Sequence, residues 1–154
     1  MRIDGRCHCG FITYAAEIEP ETAMLCHCTD CQTLTGSAFR TFVLSREDGF
    51  SLLSGELKTY VKTGDSGEKR LQAFCPECGS PIYSTSEGKG PKVYSIRVGT
   101  SRQRNDLAPR GQIWCRSAQP WIAGIGSLPG TDTQAGFPPV RASRGDCVED
   151  GRPV

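Results

Sequence analysis

Short blocks of apolar and β-branched residues run along the chain, and no long amphipathic stretch appears. The blocks cover residues 11–18, 38–44, 56–62, 70–74, 81–84, 92–98 and 112–115, each bounded by Gly, Pro or Asp. That pattern predicts strands joined by turns. Alternation is clearest over 92–98, where Tyr94, Ile96 and Val98 fall on one side and Ser95 and Arg97 on the other. Turn formers occupy 64–67 and 86–91. One short helix is predicted over residues 30–35, just after a cysteine cluster. The expected fold class is therefore mainly β, with small helical pieces.

The pattern changes after Leu128. Residues 129–154 hold many turn formers and few large apolar side chains, which predicts an irregular tail. The expected organisation is one domain over 1–128 and a C-terminal tail over 129–154, where Phe137, Pro138 and Pro139 form one candidate docking patch. Composition agrees with a turn-rich chain. Gly and Pro make up about 18% of the 154 residues, against a typical ~12%. Only 37% of residues are hydrophobic and 8% aromatic, so the core is modest.

Charge and hydropathy exclude several function classes. The formal net charge is +1, with no basic run or stripe, so no nucleic-acid partner is expected. No apolar run approaches the ~18 residues of a membrane span, so no membrane association is expected. The first ten residues are polar and carry two cysteines, with no apolar core of a secretory leader. A reducing, cytoplasmic setting is expected. There, nine cysteines point to metal ligands or reactive thiols rather than disulfides.

Seven of the nine cysteines are clustered. They form Cys7-His8-Cys9, then Cys26-His27-Cys28 with Cys31, then Cys75-Pro76-Glu77-Cys78-Gly79. A Cys-x-x-Cys knuckle followed by Gly turns tightly and offers two thiolates to one ion. Structural zinc takes four ligands, whereas catalytic zinc takes three and keeps a position open. Cys26, Cys28 and Cys31 make a natural three-ligand unit because one short segment supplies them. That leaves Cys7, Cys9, Cys75 and Cys78 for a closed site pinning the N-terminus to the middle of the chain, although spacing also permits a Cys26/Cys28/Cys75/Cys78 site. In extended chain, neighbours point to opposite sides, so His8 and His27 are expected to face away from the metals. Cys115, beside Trp114 in a strand-like segment, is expected to be at least half-buried, and Cys147 to be a free thiol in the tail.

Two filled sites would add seven negative and four positive charges, moving the net charge from +1 to −2. A zinc carrying three thiolates is a weaker Lewis acid than one held by neutral histidines, so hydrolysis is not its natural task. A soft, open site suits binding a further thiol, or activating a small carbonyl beside one. The Thr35-Gly36-Ser37 turn offers candidate N–H donors to an oxyanion or to the cysteine sulfurs. Thirteen of the 18 cations are Arg, the residue type suited to planar anions.

The segments Gly5-Arg6-Cys7-His8-Cys9-Gly10, Cys26-His27-Cys28-Thr29-Asp30-Cys31, Thr35-Gly36-Ser37-Ala38-Phe39 and Phe74-Cys75-Pro76-Glu77-Cys78-Gly79-Ser80-Pro81 together resemble one family. Gln112-Ile113-Trp114 and Gln119-Pro120-Trp121-Ile122 complete the pattern. It is that of the glutathione-dependent formaldehyde-activating enzymes and centromere protein V, matched from about residue 5 to 128. The resemblance implies a β-tent fold, small antiparallel sheets joined at a structural zinc site, similar to that of Rab nucleotide-exchange stimulators. It implies two zinc ions: a structural one on Cys7, Cys9, Cys75 and Cys78, and a catalytic one on Cys26, Cys28 and Cys31. It implies a carbon–sulfur lyase that interconverts S-hydroxymethylglutathione with glutathione and formaldehyde, or a related thiol–carbonyl adduct reaction. Glutathione carries two carboxylates, and Arg40, then Arg97, are the candidates to bind them. The other reading is a non-catalytic zinc module for a protein or chromatin partner, with its fourth position closed by His27 or Cys115. The Pro129–Val154 tail and Cys115 depart from the family pattern.

Overall fold

The computed structural model describes residues 1–64 and 66–130. The chain divides into a unit over Met1–Ala118 and a second unit from Gln119 onward. The first unit is an antiparallel sheet. Strand β1 (Arg2–Arg6) pairs with the start of β2 (Thr13–Cys26), and β2 pairs along its other edge with β3 (Arg40–Ser54). Beyond β3 come β7 (Ser95–Arg97), β6 (Pro81–Ser86), β5 (Lys69–Phe74) and β4 (Lys58–Thr63), in that order. One pairing is parallel: β8 (Gly111–Ile113) runs along the end of β2.

The strands differ from the sequence blocks for local reasons. The 11–18 block ends before Pro20, yet β2 continues to Cys26. Its pairing with β3 is irregular between Glu19 and Met24, where a residue without an N–H is tolerated. The 92–98 block yields only the three residues of β7, and Ser95, Ile96 and Arg97 are all buried, so its polar side is not a solvent face. The 112–115 block stops at Ile113, because Trp114 turns to φ +59° and opens a short 3-10 turn over Cys115–Ser117. Cys115 is consequently exposed, not half-buried. Strand β1 has no sequence block, and its one apolar anchor is the buried Ile3.

Ile12, Tyr14, Ile18, Val43, Ile82 and Ile96 are fully buried in one core. Phe50 packs with Tyr14, Tyr83 and Tyr94 at ring-centroid distances of 5.3, 4.7 and 5.2 Å, which makes one aromatic cluster out of distant segments. In the second unit, Pro120–Ser127 forms a 3-10 stretch with proline at its start. The expected tail beyond Gly130, including Phe137–Pro139 and Cys147, lies outside the described residues. Among the described residues, no helix is long and apolar enough to cross a membrane.

Candidate functional site

The cysteines gather in two separate groups. Cys7, Cys9, Cys75 and Cys78 bring their sulfurs within 4.8 Å of one another, and so do Cys26, Cys28 and Cys31. The mixed Cys26/Cys28/Cys75/Cys78 set is not formed. In the first group, the Cys7–Cys9 loop follows β1, and the Cys75–Cys78 loop joins β5 to β6. These strands lie far apart in the sheet order, yet Cys9 and Cys75 sulfurs are 3.8 Å apart, so the sheet curls back on itself here. Each loop turns back on its first cysteine: the Cys7 N–H donates to Ile12 O at 3.0 Å, and the Cys75 N–H to Ser80 O at 2.9 Å. Gly79 takes φ +71° to close the second knuckle, a conformation that favours glycine.

The thiolate is favoured at Cys7 and Cys78, whereas Cys75 is raised, chiefly by burial, and at Cys9 the Phe11 backbone contact is outweighed by burial and the cysteine neighbours together, so this thiol is raised too. Burial works against ionising Cys7, but the Ile12 N–H, 3.2 Å from its sulfur, together with the Cys9 and Cys75 contacts outweighs it and the shift is downward. The Ser80 hydroxyl lies 3.2 Å from Cys78 Sγ and leads the donors that push this thiol down to about 5. Zinc with Zn–S bonds of about 2.3 Å needs tetrahedral S–S edges of about 3.8 Å. The observed Cys7–Cys9 and Cys9–Cys75 separations are 3.5 and 3.8 Å, and Cys26–Cys28 is 3.5 Å. Both groups fit the ion in donor type and spacing.

The triad is built by one strand end and one helix start. Cys26 closes β2. Cys28 is the N-cap of α1 (Thr29–Thr35), its sulfur accepting from the Cys31 N–H at 3.4 Å, and Cys31 sits in the first turn. The helix ends where Gly36 adopts φ +63° and donates its N–H to Gln32 O. That N–H is thus committed to the helix end and is not available to an oxyanion or a sulfur. The hydrogen bond from Cys31 draws the Cys26 thiol below its usual range. The same contact, followed by burial, raises Cys31.

His27 is fully buried and outside the ligand group. Its Nε2 lies 2.7 Å from Gln112 Oε1, its N–H donates to Ile113 O, and its carbonyl accepts from Gln32 Nε2 at 2.7 Å. It braces the triad segment against β8 rather than ligating. His8 is exposed, and it too lies outside the groups.

Strand register places a row of cations on the face that carries Cys26. Directly opposed residues of an antiparallel pair share a face, as do residues two apart along a strand. Cys26 opposes Arg40, and Arg97 opposes Phe42. Ser95 opposes Ser84, Ser84 opposes Gln72, and Arg70 opposes Lys62. The same face therefore carries Arg40, Arg97, Arg70 and Lys62. Gln72 Oε1 accepts from Arg97 Nη2 at 2.9 Å and from Arg40 Nη1 at 3.3 Å. Arg40 and Arg97 are both buried, and the Nε of each has no hydrogen-bond partner. Burial shifts both guanidiniums downward, and Arg40 adds to the pressure on Arg97.

Three cavities meet this region. One of about 220 Å³ is lined by Cys26, Cys31, Arg40, Arg70, Gln72 and Arg97. A larger cleft of about 450 Å³ shares Leu34, Arg40 and Gln72 with it and continues past Tyr60, Phe74 and Pro81. On the Cys28 side, a cavity of about 290 Å³ is walled by Trp114, Arg116 and the Lys62–Asp30 ion pair. Arg116 stacks 4.7 Å above the Trp114 ring. Gln72 and Gln112 were not among the sequence candidates. Gln72 had a signal, since Arg70 and Gln72 alternate with Leu71 and Ala73 and so mark a polar face on β5.

A family profile described as glutathione-dependent formaldehyde-activating enzyme matches residues 2–117. The chain belongs to this family. The span matched to the formaldehyde-activating family includes both thiol groups, Arg40 and Arg97. A crystal structure of a Rhodobacter sphaeroides protein, a structural-genomics target, is similar at 20% identity and a TM-score of 0.55. That likeness covers 71% of this chain and 98% of the other, and it supports the fold alone. No curated protein matches the sequence.

Proposed function

We propose that this member of the formaldehyde-activating family is a zinc-dependent carbon–sulfur lyase. It would interconvert S-hydroxymethylglutathione with glutathione and formaldehyde, or run a closely related thiol–carbonyl reaction. The observation that carries the reading is the contrast between the two thiol groups. Four sulfurs gather at one site, whereas three gather at the other, beside cavities on two sides.

Cys7, Cys9, Cys75 and Cys78 would hold a structural ion and Cys26, Cys28 and Cys31 a catalytic one. Zinc at the triad would supply an open coordination position and Lewis acidity. The chain supplies the rest. α1 and β2 fix the three sulfurs, and the His27 brace holds the segment in place. The 450 Å³ cleft, within the ~300–1,000 Å³ range of ligand pockets, accepts the body of the thiol tripeptide. Arg40 stands where the cleft meets the triad and would hold a carboxylate, with Arg97 behind it. Orienting the two reactants replaces a bimolecular encounter with a local one. In the forward step the sulfur adds to the carbonyl carbon, and the thiol proton ends on the former carbonyl oxygen. The reverse step breaks that C–S bond and returns both reactants. Reduced thiols of this kind suit a cytoplasmic setting.

A non-catalytic module would be expected to close the triad with a protein ligand. His27 is held by Gln112, and Cys115 is exposed outside the group. Both observations favour the enzyme. The test is exchange spectroscopy of glutathione with formaldehyde, using zinc-loaded protein and a Cys28→Ser control. Faster exchange that disappears in the control supports the lyase. Absence of acceleration rejects formaldehyde as the carbonyl reactant.

A further inference from the structure

The cavity beside the triad carries more positive charge than a neutral carbonyl requires. Arg40, Arg70, Arg97 and Lys62 line it, and Asp30 is the one carboxylate among its lining residues. Asp30 is paired with Lys62. No carboxylate lies within ion-pair distance of the three arginines among the described residues. A zinc held by three thiolates would carry one net negative charge, which leaves the cavity about two charges positive. Buried cations ordinarily have a charged partner. Here the negative groups that act on Arg40 and Arg97 are the triad sulfurs, already counted above; their hydrogen bonds go to neutral groups, Gln72 Oε1 for both and Ser95 Oγ for Arg97, and each keeps a buried, unpartnered Nε. At about 220 Å³ the cavity falls below the ~300 Å³ lower bound for drug-sized ligands, so it takes a molecule of a few heavy atoms.

The geometry points to an anion site: the small cavity receives a carboxylate on Arg40 and Arg97, and the carbonyl reactant is a short carboxylate-bearing aldehyde rather than neutral formaldehyde. This rests on the thiol–carbonyl reading of the same site and specifies its second substrate. The guanidinium fork matches a carboxylate in two-point fashion. In this arrangement Arg40 and Arg97 serve the aldehyde's carboxylate instead of glutathione's; that carboxylate aims the neighbouring aldehyde carbon at the triad, while the thiol occupies the adjoining cleft. The thiol sulfur bonds to that carbon, the C=O π bond opens, and the S–H proton is transferred to the resulting oxygen. The product is a 2-hydroxy-2-thio acid, formed without oxidant or reductant.

Calorimetry of the zinc-loaded protein with glycolate and with glycolamide, its neutral counterpart of similar shape, tests the anion site. Glycolate should bind at least tenfold more tightly. Gln72→Glu gives both arginines a resident carboxylate, so it should retain the fold and abolish the preference. Equal affinities, or a preference that survives Gln72→Glu, overturn the proposal. Exchange spectroscopy with glutathione then compares glyoxylate with formaldehyde. Faster exchange of glyoxylate supports the proposal. Faster exchange of formaldehyde overturns it and leaves the lyase standing. Exchange of neither aldehyde defeats the lyase reading itself, and the carbonyl assignment falls with it, even where glycolate binds.

Discussion

His27 Nε2 and Gln112 Oε1 lie 2.7 Å apart, joining the strand end that carries the triad to a three-residue strand 85 positions further along the chain. His27 lies between Cys26 and Cys28 in the chain, and its fully buried imidazole is oriented by this contact and an edge-on approach to Phe39 at 5.7 Å. Gln112→Leu should lower stability by about 1 kcal/mol for the lost hydrogen bond. Loss of this contact frees the brace behind the triad segment, so the triad should give up zinc to a chelator sooner while the four-cysteine site does not. Urea denaturation and chelator competition measure the two effects separately.

Gly5 is fixed by close approach rather than by an unusual dihedral. A Cβ there would overlap the Tyr14 ring and lie 2.5 Å from the Thr100 carbonyl oxygen. Both obstacles are held, because Tyr14 is fully buried and its hydroxyl is 2.9 Å from Thr100 Oγ1. Gly5→Ala should cost about 3 kcal/mol, at the upper end of overpacking effects, with the loss read from the denaturant midpoint.

Burial raises the Tyr14 hydroxyl to about 12 from its ordinary 10; the Thr100 contact opposes the shift and Asp4 adds to it. The sign follows from which state ionises first. Below pH 10 both folded and unfolded chains hold the proton and the contribution is intact. Between 10 and 12 only the unfolded chain loses it, so stability declines as pH rises, by about 2–3 kcal/mol in all. Tyr14→Phe should show a correspondingly shallower alkaline decline, measured by denaturation at fixed pH values.

Trp114 holds φ +59°, a costly conformation for a bulky residue, at the wall of the Cys28-side cavity. Trp114→Gly should relieve about 1 kcal/mol of backbone strain and forfeit a similar amount of cation–π contact with Arg116. Stability should therefore change little. Thiol affinity should also change little, because the tripeptide occupies the cleft past Tyr60 and not this cavity, and calorimetry with glutathione checks it.

Much of this was legible in the sequence because it depends on local chemistry. The Cys-x-x-Cys-Gly knuckle, the helix behind Cys28 and strands β4 to β6 each follow from short-range turn and alternation rules. What was not legible arises from long-range pairing. Ser95 and Arg97 look like an outer face on β7 alone, and only the strands on either side enclose them. Strand β1 has a single apolar anchor, Ile3, and forms because β2 offers it an edge. Cys115 left its expected strand because Trp114 turned the backbone. Gln72 acquires meaning only when Arg40 and Arg97, from two other strands, meet at its oxygen.

The two cysteine groups would form zinc sites that differ in kind, one closed and holding the fold, the other open for chemistry. Zinc content and circular dichroism of the wild type, Cys28→Ser and Cys78→Ser test this most directly. Binding of a structural zinc is worth about 10 kcal/mol or more, comparable to the whole stability of a domain. This difference in kind predicts two zinc ions in the wild type, one in a folded Cys28→Ser protein, and an unfolded or aggregated Cys78→Ser protein. A Cys28→Ser protein that loses both ions and its fold, or a Cys78→Ser protein that stays folded, would contradict it.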